Sequence, residues 1–219
     1  CCDAGIKPII GCEVYVAIES RHLRKPARGI NSGSNHLVLL VKNETGYKNL
    51  IKLVSRGYLE GYYYNPRIDK ELLRQHAEGL ICLSACVSGE IAHLIQTESQ
   101  GEAEKAAREY MDIFGEDYYL EIQRHGIDIE PKVNDGLLKL HKKLALPLVA
   151  TNDFHFLQKD DHAPAASRSF PKQPVYGIPC VVGPVSIESL FLFEIHIPFL
   201  LVIRPDICRD ILCVFPEAS

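Results

Sequence analysis

The run Thr151-Asn152-Asp153-Phe154-His155 carries the sharpest chemical pattern in the chain. Asp153 and His155 stand two apart, so in extended backbone both side chains leave the same face. They follow directly on the apolar stretch Leu146-Pro147-Leu148-Val149-Ala150, the place where α/β barrels present catalytic groups. A carboxylate beside an imidazole suits Zn, Mn or Fe. The alternative is an Asp capping the next helix and a His closing a strand.

Three further residues sit at comparable places. Glu13 lies inside the apolar stretch Ile9-Ile10-Gly11-Cys12-Glu13-Val14-Tyr15-Val16. An unpaired carboxylate there costs several kcal/mol, so a cation or a donor such as Lys7 should meet it. His36 opens the stretch His36-Leu37-Val38-Leu39-Leu40-Val41, where a surface imidazole is the plainer reading. Cys86 ends Leu80-Ile81-Cys82-Leu83-Ser84-Ala85-Cys86, with a zinc ligand and a core thiol as its two uses. Each is weak alone; together they place metal-competent groups at strand ends or on inward faces.

Other patterns carry less. Arg21, Arg24, Lys25 and Arg28 put four permanent cations in one loop, read as solvated ahead of phosphate-binding. Tyr62-Tyr63-Tyr64-Asn65-Pro66-Arg67 has the ingredients of a stacking platform for single strands, although packing against the domain is the expected use. Asn43-Glu44-Thr45 matches a glycosylation sequon with nothing else to support secretion. There is no Gly-rich phosphate loop, nucleophile elbow or CxxC pair.

The elements that must position these residues alternate. Strands are expected at 5–16, 36–41, 80–86, 118–122 and 146–151. Helices are expected at 46–59, 70–75, 89–95, 102–114 and 131–144, with Leu50, Leu53 and Val54, and Leu137, Leu140 and Leu144, at helical spacing. The alternation specifies an α/β class with a mainly parallel sheet or a β/α barrel, and the doubly apolar 36–41 run suggests helices on both faces. Composition agrees with a globular chain: 47% hydrophobic, 24% charged, net charge −4 and pI near 6.1, with no basic field to draw nucleic acid or an anionic membrane. Eight cysteines are too dilute for a disulfide scaffold, and a reducing cytoplasm is expected. No apolar run is long enough to span a membrane. The single Met is Met111, so a chain opening on Cys1 reads as a processed product or a fragment.

Composition shifts after His162. Eight of the thirteen prolines fall in residues 163–219, and charge thins out there. The apolar run 189–203 is broken by Glu194, His196 and Pro198. It reads as a core strand pair, a membrane-seeking segment, or frameshifted or read-through sequence, and the abrupt change favours the last.

With these residues in view, residues 1–162 resemble the PHP (polymerase and histidinol phosphatase) domain of bacterial replicative DNA polymerase III alpha subunits. The resemblance rests on Ala4 to Val16, His36 to Leu50 (HLVLLVKNETGYKNL) and Tyr64-Asn65-Pro66-Arg67-Ile68-Asp69-Lys70-Glu71-Leu72-Leu73. It continues through Gly79 to Ile91 (GLICLSACVSGEI), Tyr119 to Gly126 (YLEIQRHG) and Val149 to His155 (VATNDFH). It implies a distorted (β/α)7 barrel, here incomplete and without its N-terminal strands, and a metal cluster whose ligands fall on Glu13, His36, Cys86, Asp153 and His155. The family's His-x-His pair, with a following Asp and His, would lie upstream of Cys1.

The resemblance further implies divalent metal, Zn first with Mn or Fe as alternatives. The parent protein would be a DNA-directed DNA polymerase with Mg at its own polymerase site. Its partners would be DNA, a proofreading exonuclease and a sliding clamp, and the domain itself could act as a 3′–5′ exonuclease. The organisation expected is a partial PHP domain at 1–162 and an irregular, Pro-rich, unassigned tail at 163–219. An incomplete barrel leaves unpaired sheet edges, so the fragment alone is expected neither to fold well nor to hydrolyse phosphoesters. The rivals are a stand-alone metal-dependent PHP phosphoesterase, a non-catalytic metal-stabilised interaction module, and the related error-prone alpha-type polymerase.

Overall fold

The computed structural model describes residues 9–153, together with Pro179–Val182 and Leu201–Val202. In chain order the elements are β1 (Ile10–Ala17), β2 (Ser34–Val41), α1 (Glu44–Glu60), β3 (Arg67–Ile68), α2 (Lys70–His76) and β4 (Leu80–Leu83). There follow α3 (Glu90–Gln96), α4 (Gln100–Phe114), β5 (Tyr118–Ile122), α5 (Glu130–Leu144), β6 (Leu148–Asp153), β7 (Pro179–Val182) and β8 (Leu201–Val202). The five helices match the expected ones to within two residues at each end. The two-residue β3 has no periodicity to announce it. Apart from β7 and β8, the tail at 163–219, including most of the 189–203 run, lies outside the described residues, as does the 5–8 part of the first expected strand.

The strands form one sheet in the order β3-β1-β2-β4-β5-β6-β7, with β8 beside the start of β1. The class is α/β, but the sheet is mixed rather than mainly parallel. β2 runs antiparallel to both β1 and β4, while β4, β5 and β6 are parallel. The reason is connectivity: β1 and β2 are joined by a loop without a crossover helix, which returns the chain antiparallel, whereas helices link β4 to β5 to β6. Gly11 in β1 permits close approach of β2. A Cβ there would sit 2.6 Å from Leu40 Cδ2 and 2.8 Å from the Leu39 carbonyl oxygen.

Side-chain alternation divides the sheet into two unlike faces. One carries Val14, Leu39, Cys82, Tyr118, Leu120 and Leu148, packed with Leu53, Leu72, Ile91, Tyr110 and Leu137 from the five helices. The other carries a smaller cluster of Val38, Leu40, Leu83, Ala85 and Val149 to which no described helix contributes. Among the described residues, helices cover only one face of β2, and its other apolar face packs on strand and loop residues of the smaller cluster.

The loop at 21–28 is also not a simply solvated one. Arg21 is only 4% exposed. Its guanidinium meets Asp69 at 2.8 Å and Glu60 at 2.7 Å. Asp69 is the N-cap of α2, accepting from Leu72 N at 3.0 Å while also receiving Arg21 N. Arg67, 1% exposed, donates to the carbonyls of Arg21, Leu23, Ser32 and Gly61. This guanidinium is spent on holding the loop, which removes it from any phosphate-binding platform, although Tyr62 and Tyr64 are exposed. Asn43 of the sequon is the N-cap of α1, accepting from Gly46 N.

Asp69→Ala removes a cap and leaves Arg21 buried beside one fewer anion. The expected loss is about 3–5 kcal/mol, read from the urea unfolding midpoint. A loss under about 1 kcal/mol would show that Glu60 alone suffices for Arg21.

Candidate metal centre

Strand direction brings the sequence-selected residues to one edge of the sheet. Because β2 is antiparallel to β1 and β4, its start lies at their carboxyl ends. The register pairs Tyr15 with His36, Glu13 with Val38, and Val38 with Leu83. Glu13 and His36 therefore share the face of the smaller cluster, away from the helices. Cys86 follows β4 at the same edge, and Asp153 closes β6, which lies parallel to β5 and so ends there too.

Glu13, His36 and Cys86 converge, with one donor atom from each within 4.8 Å of the others. His36 Nδ1 lies 3.0 Å from Glu13 Oε1 and 3.8 Å from Cys86 Sγ. Tyr15 packs its ring edge-to-face on the imidazole at 5.1 Å and limits its rotation. The backbone fixes the other side: His36 N donates to Ser88 O at 3.1 Å, and Gly89 N donates to Cys86 O at 2.8 Å. Ala85 adopts φ of 65°, a left-handed conformation that costs a non-glycine residue roughly 1 kcal/mol. A Cβ on Gly89 would lie 2.2 Å from Ser84 O, so only glycine lets the chain fold this closely around the thiol.

The donor set fits a metal. It combines oxygen, nitrogen and sulfur, as zinc prefers, and the other borderline divalent ions accept the same atoms. Glu13 Oε1 is buried and accepts no aligned hydrogen bond, although His36 Nδ1 stands beside it. Burial opposes a charge on His36, but contact with Cys86 and Glu13, and the negative charge of both, outweigh it and push its pKa up to about 10. Lys7, the alternative partner weighed for Glu13, lies outside the described residues, as does His155. For Asp153 the described feature is its place at the end of β6.

Sequence reasoning missed a second polar group on the same face. Ser84, Glu121, Gln123 and Thr151 are all buried at the carboxyl ends of β4, β5 and β6. The signal was available, since Glu121 interrupts Tyr118-Tyr119-Leu120-Glu121-Ile122 just as Glu13 interrupts β1.

The chain is also similar in sequence to known proteins. The PHP domain family model matches residues 1–125. DNA polymerase III subunit alpha of Treponema pallidum (strain Nichols) is 51% identical over 162 residues, 74% of this chain and 14% of that protein. The protein of the same name from Thermus aquaticus is 50% identical over 157 residues, 72% of this chain and 13% of its own length. That from Borreliella burgdorferi is 49% identical over 158 residues, again 72% and 14%. The chain thus spans about one seventh of the length of these relatives.

As a metal ligand, His36 would have to give up its proton. Its folded pKa is raised, so its stabilising effect in the metal-free protein is fully present below about pH 6.5 and is lost as pH rises through about 10. Apparent metal affinity should accordingly climb between pH 7 and 9, by up to about tenfold per pH unit from this group. Competition with a chromophoric chelator measures it, and a flat profile would remove His36 from the ligand set.

Proposed function

The chain belongs to the PHP domain family, and from that premise we propose that it is the PHP segment of a longer replicative DNA polymerase, the alpha subunit of DNA polymerase III. In this reading residues 1–162 form part of a distorted (β/α)7 barrel, and residues 163–219 are a distinct tail from which β7 and β8 join the same sheet. The aligned length of 162 residues with the Treponema pallidum protein supports that boundary. The convergence of Glu13, His36 and Cys86 at the carboxyl edge of the sheet is the observation that carries the reading.

Glu13, His36 and Cys86, joined by Asp153 and His155 from the end of β6 and beyond, are the residues that would hold divalent metal. Zinc suits the thiolate best, with Mn or Fe as alternatives. Such ions, when bound, supply Lewis acidity toward a phosphate and lower the pKa of a coordinated water, which is the chemistry of a phosphoesterase or 3′–5′ exonuclease. The chain's own contribution is the fixed face: Tyr15 orients the imidazole, and the Ala85–Gly89 turn aims the thiol.

Nucleotidyl transfer, Mg binding at a polymerase site, and contacts with DNA, a proofreading exonuclease and a sliding clamp would belong to the longer polypeptide in the cytoplasm. No described helix is long and apolar enough to cross a membrane.

The test is made on the full-length polypeptide that contains this segment. It is expected to extend a primer on a DNA template with Mg, to co-purify with zinc or a related divalent ion, and to lose that ion on His36→Ala with Cys86→Ser. Hydrolysis of a small phosphate monoester without primer extension would replace this reading with a stand-alone phosphoesterase. Bound metal with neither activity would leave an interaction module.

A further inference from the structure

Glu121 is 2% exposed in the middle of β5, on the face that carries Glu13 and His36. A carboxylate in such a place is tolerated only when donors are aimed at it. Its Oε1 accepts from Thr151 Oγ1 on β6 and from Gln123 Nε2 at 3.0 Å. Gln123 Nε2 also reaches Thr151 Oγ1 at 3.1 Å. The backbone N–H of Glu121 donates to Ser84 Oγ, just past β4, at 2.8 Å. The carboxylate therefore ties β5 to β6, while the backbone N–H at the same level ties β5 to Ser84.

That level has a particular relation to the metal centre. Ser84 lies two residues before Cys86, and Thr151 two residues before Asp153. Lower on the same face Val38, Leu83 and Val149 fill the space with apolar side chains, so filling volume does not require an acid here. What the acid adds is direction, because a carboxylate acceptor holds the Thr151 hydroxyl in one rotamer and resists sliding of β6 against β5. The pairing of those strands covers only three residue pairs, which leaves their register weakly specified by the ladder alone.

We propose that Glu121 is a positioning residue for the metal centre. It is not a ligand, and through Thr151 its carboxylate sets the lateral position of the end of β6, the strand that carries Asp153, against β5. The inference rests on the metal reading of the site. It predicts that affinity for metal depends on a group that never touches the ion, as outer hydrogen-bond partners of metal sites generally do.

The experiment measures zinc affinity of the full-length polypeptide by chelator competition, with thermal unfolding of the chelator-treated protein in parallel. Glu121→Leu is expected to weaken zinc binding by about 10–100-fold. Glu121→Gln should restore most of it, because the amide oxygen accepts the same two bonds. Thr151→Val, which keeps the shape and removes the hydroxyl, should weaken binding in the same direction and serves where Glu121→Leu does not fold. Folded Glu121→Leu or Thr151→Val protein with unchanged zinc affinity and only a lowered melting temperature would overturn the proposal while leaving the metal reading intact. A wild-type protein with no zinc affinity would overturn both.

Discussion

The pairing register between β1 and β2 is the constraint on which the site depends. Tyr15 opposite His36 and Glu13 opposite Val38 put a carboxylate and an imidazole on the same face of an antiparallel pair. A slip of one residue would turn His36 toward the helices and bring Leu37 into its place. Two features oppose that slip. Leu37 and Leu39 are buried in the large helix-covered cluster, and Gly11 allows a contact with Leu40 that no larger residue could make. The energy that holds the metal donors together is thus mainly apolar burial on the opposite face, supplied by residues with no chemistry of their own.

The same division of labour governs the ion pairs. Arg21, Asp69 and Glu60 form a buried cluster that closes the β1–β2 loop onto the start of α2, and Arg67 gathers four carbonyls from the loop and from the end of α1. Charges withdrawn from water at this cost serve geometry. They fix the loop that returns the chain antiparallel, and so they fix where His36 starts β2. Residues that look from composition like a basic patch are consumed in building the frame.

At the carboxyl edge the balance is different. His36 stands beside Glu13 and Cys86, and contact with the two raises its pKa against the opposing effect of burial. Next along the edge, Glu121 is met by hydroxyl and amide donors. The two acids, each inside an apolar strand, meet different neighbours: Glu13 stands beside an imidazole, Glu121 beside hydroxyl and amide donors.

The order and type of the helices, the α/β class and the candidates Glu13, His36 and Cys86 could be read from the chain, because helical periodicity and an acid in an apolar strand are local signals. The resemblance of residues 1–162 to PHP domains was likewise carried by local runs. Direction and pairing were not local. That β2 runs antiparallel follows from the missing crossover helix and the long-range match of two apolar faces, and that match alone brings His36 within 3.0 Å of Glu13, 23 positions away in sequence. Burial of Arg21 and Arg67 escaped the sequence for the same reason, since their partners Asp69 and the loop carbonyls are distant along the chain. Glu121 was visible as a residue type, but its partners come from two other segments, and only the tertiary structure brings a hydroxyl acceptor 37 residues away to its backbone N–H and a hydroxyl donor 30 residues away to its carboxylate.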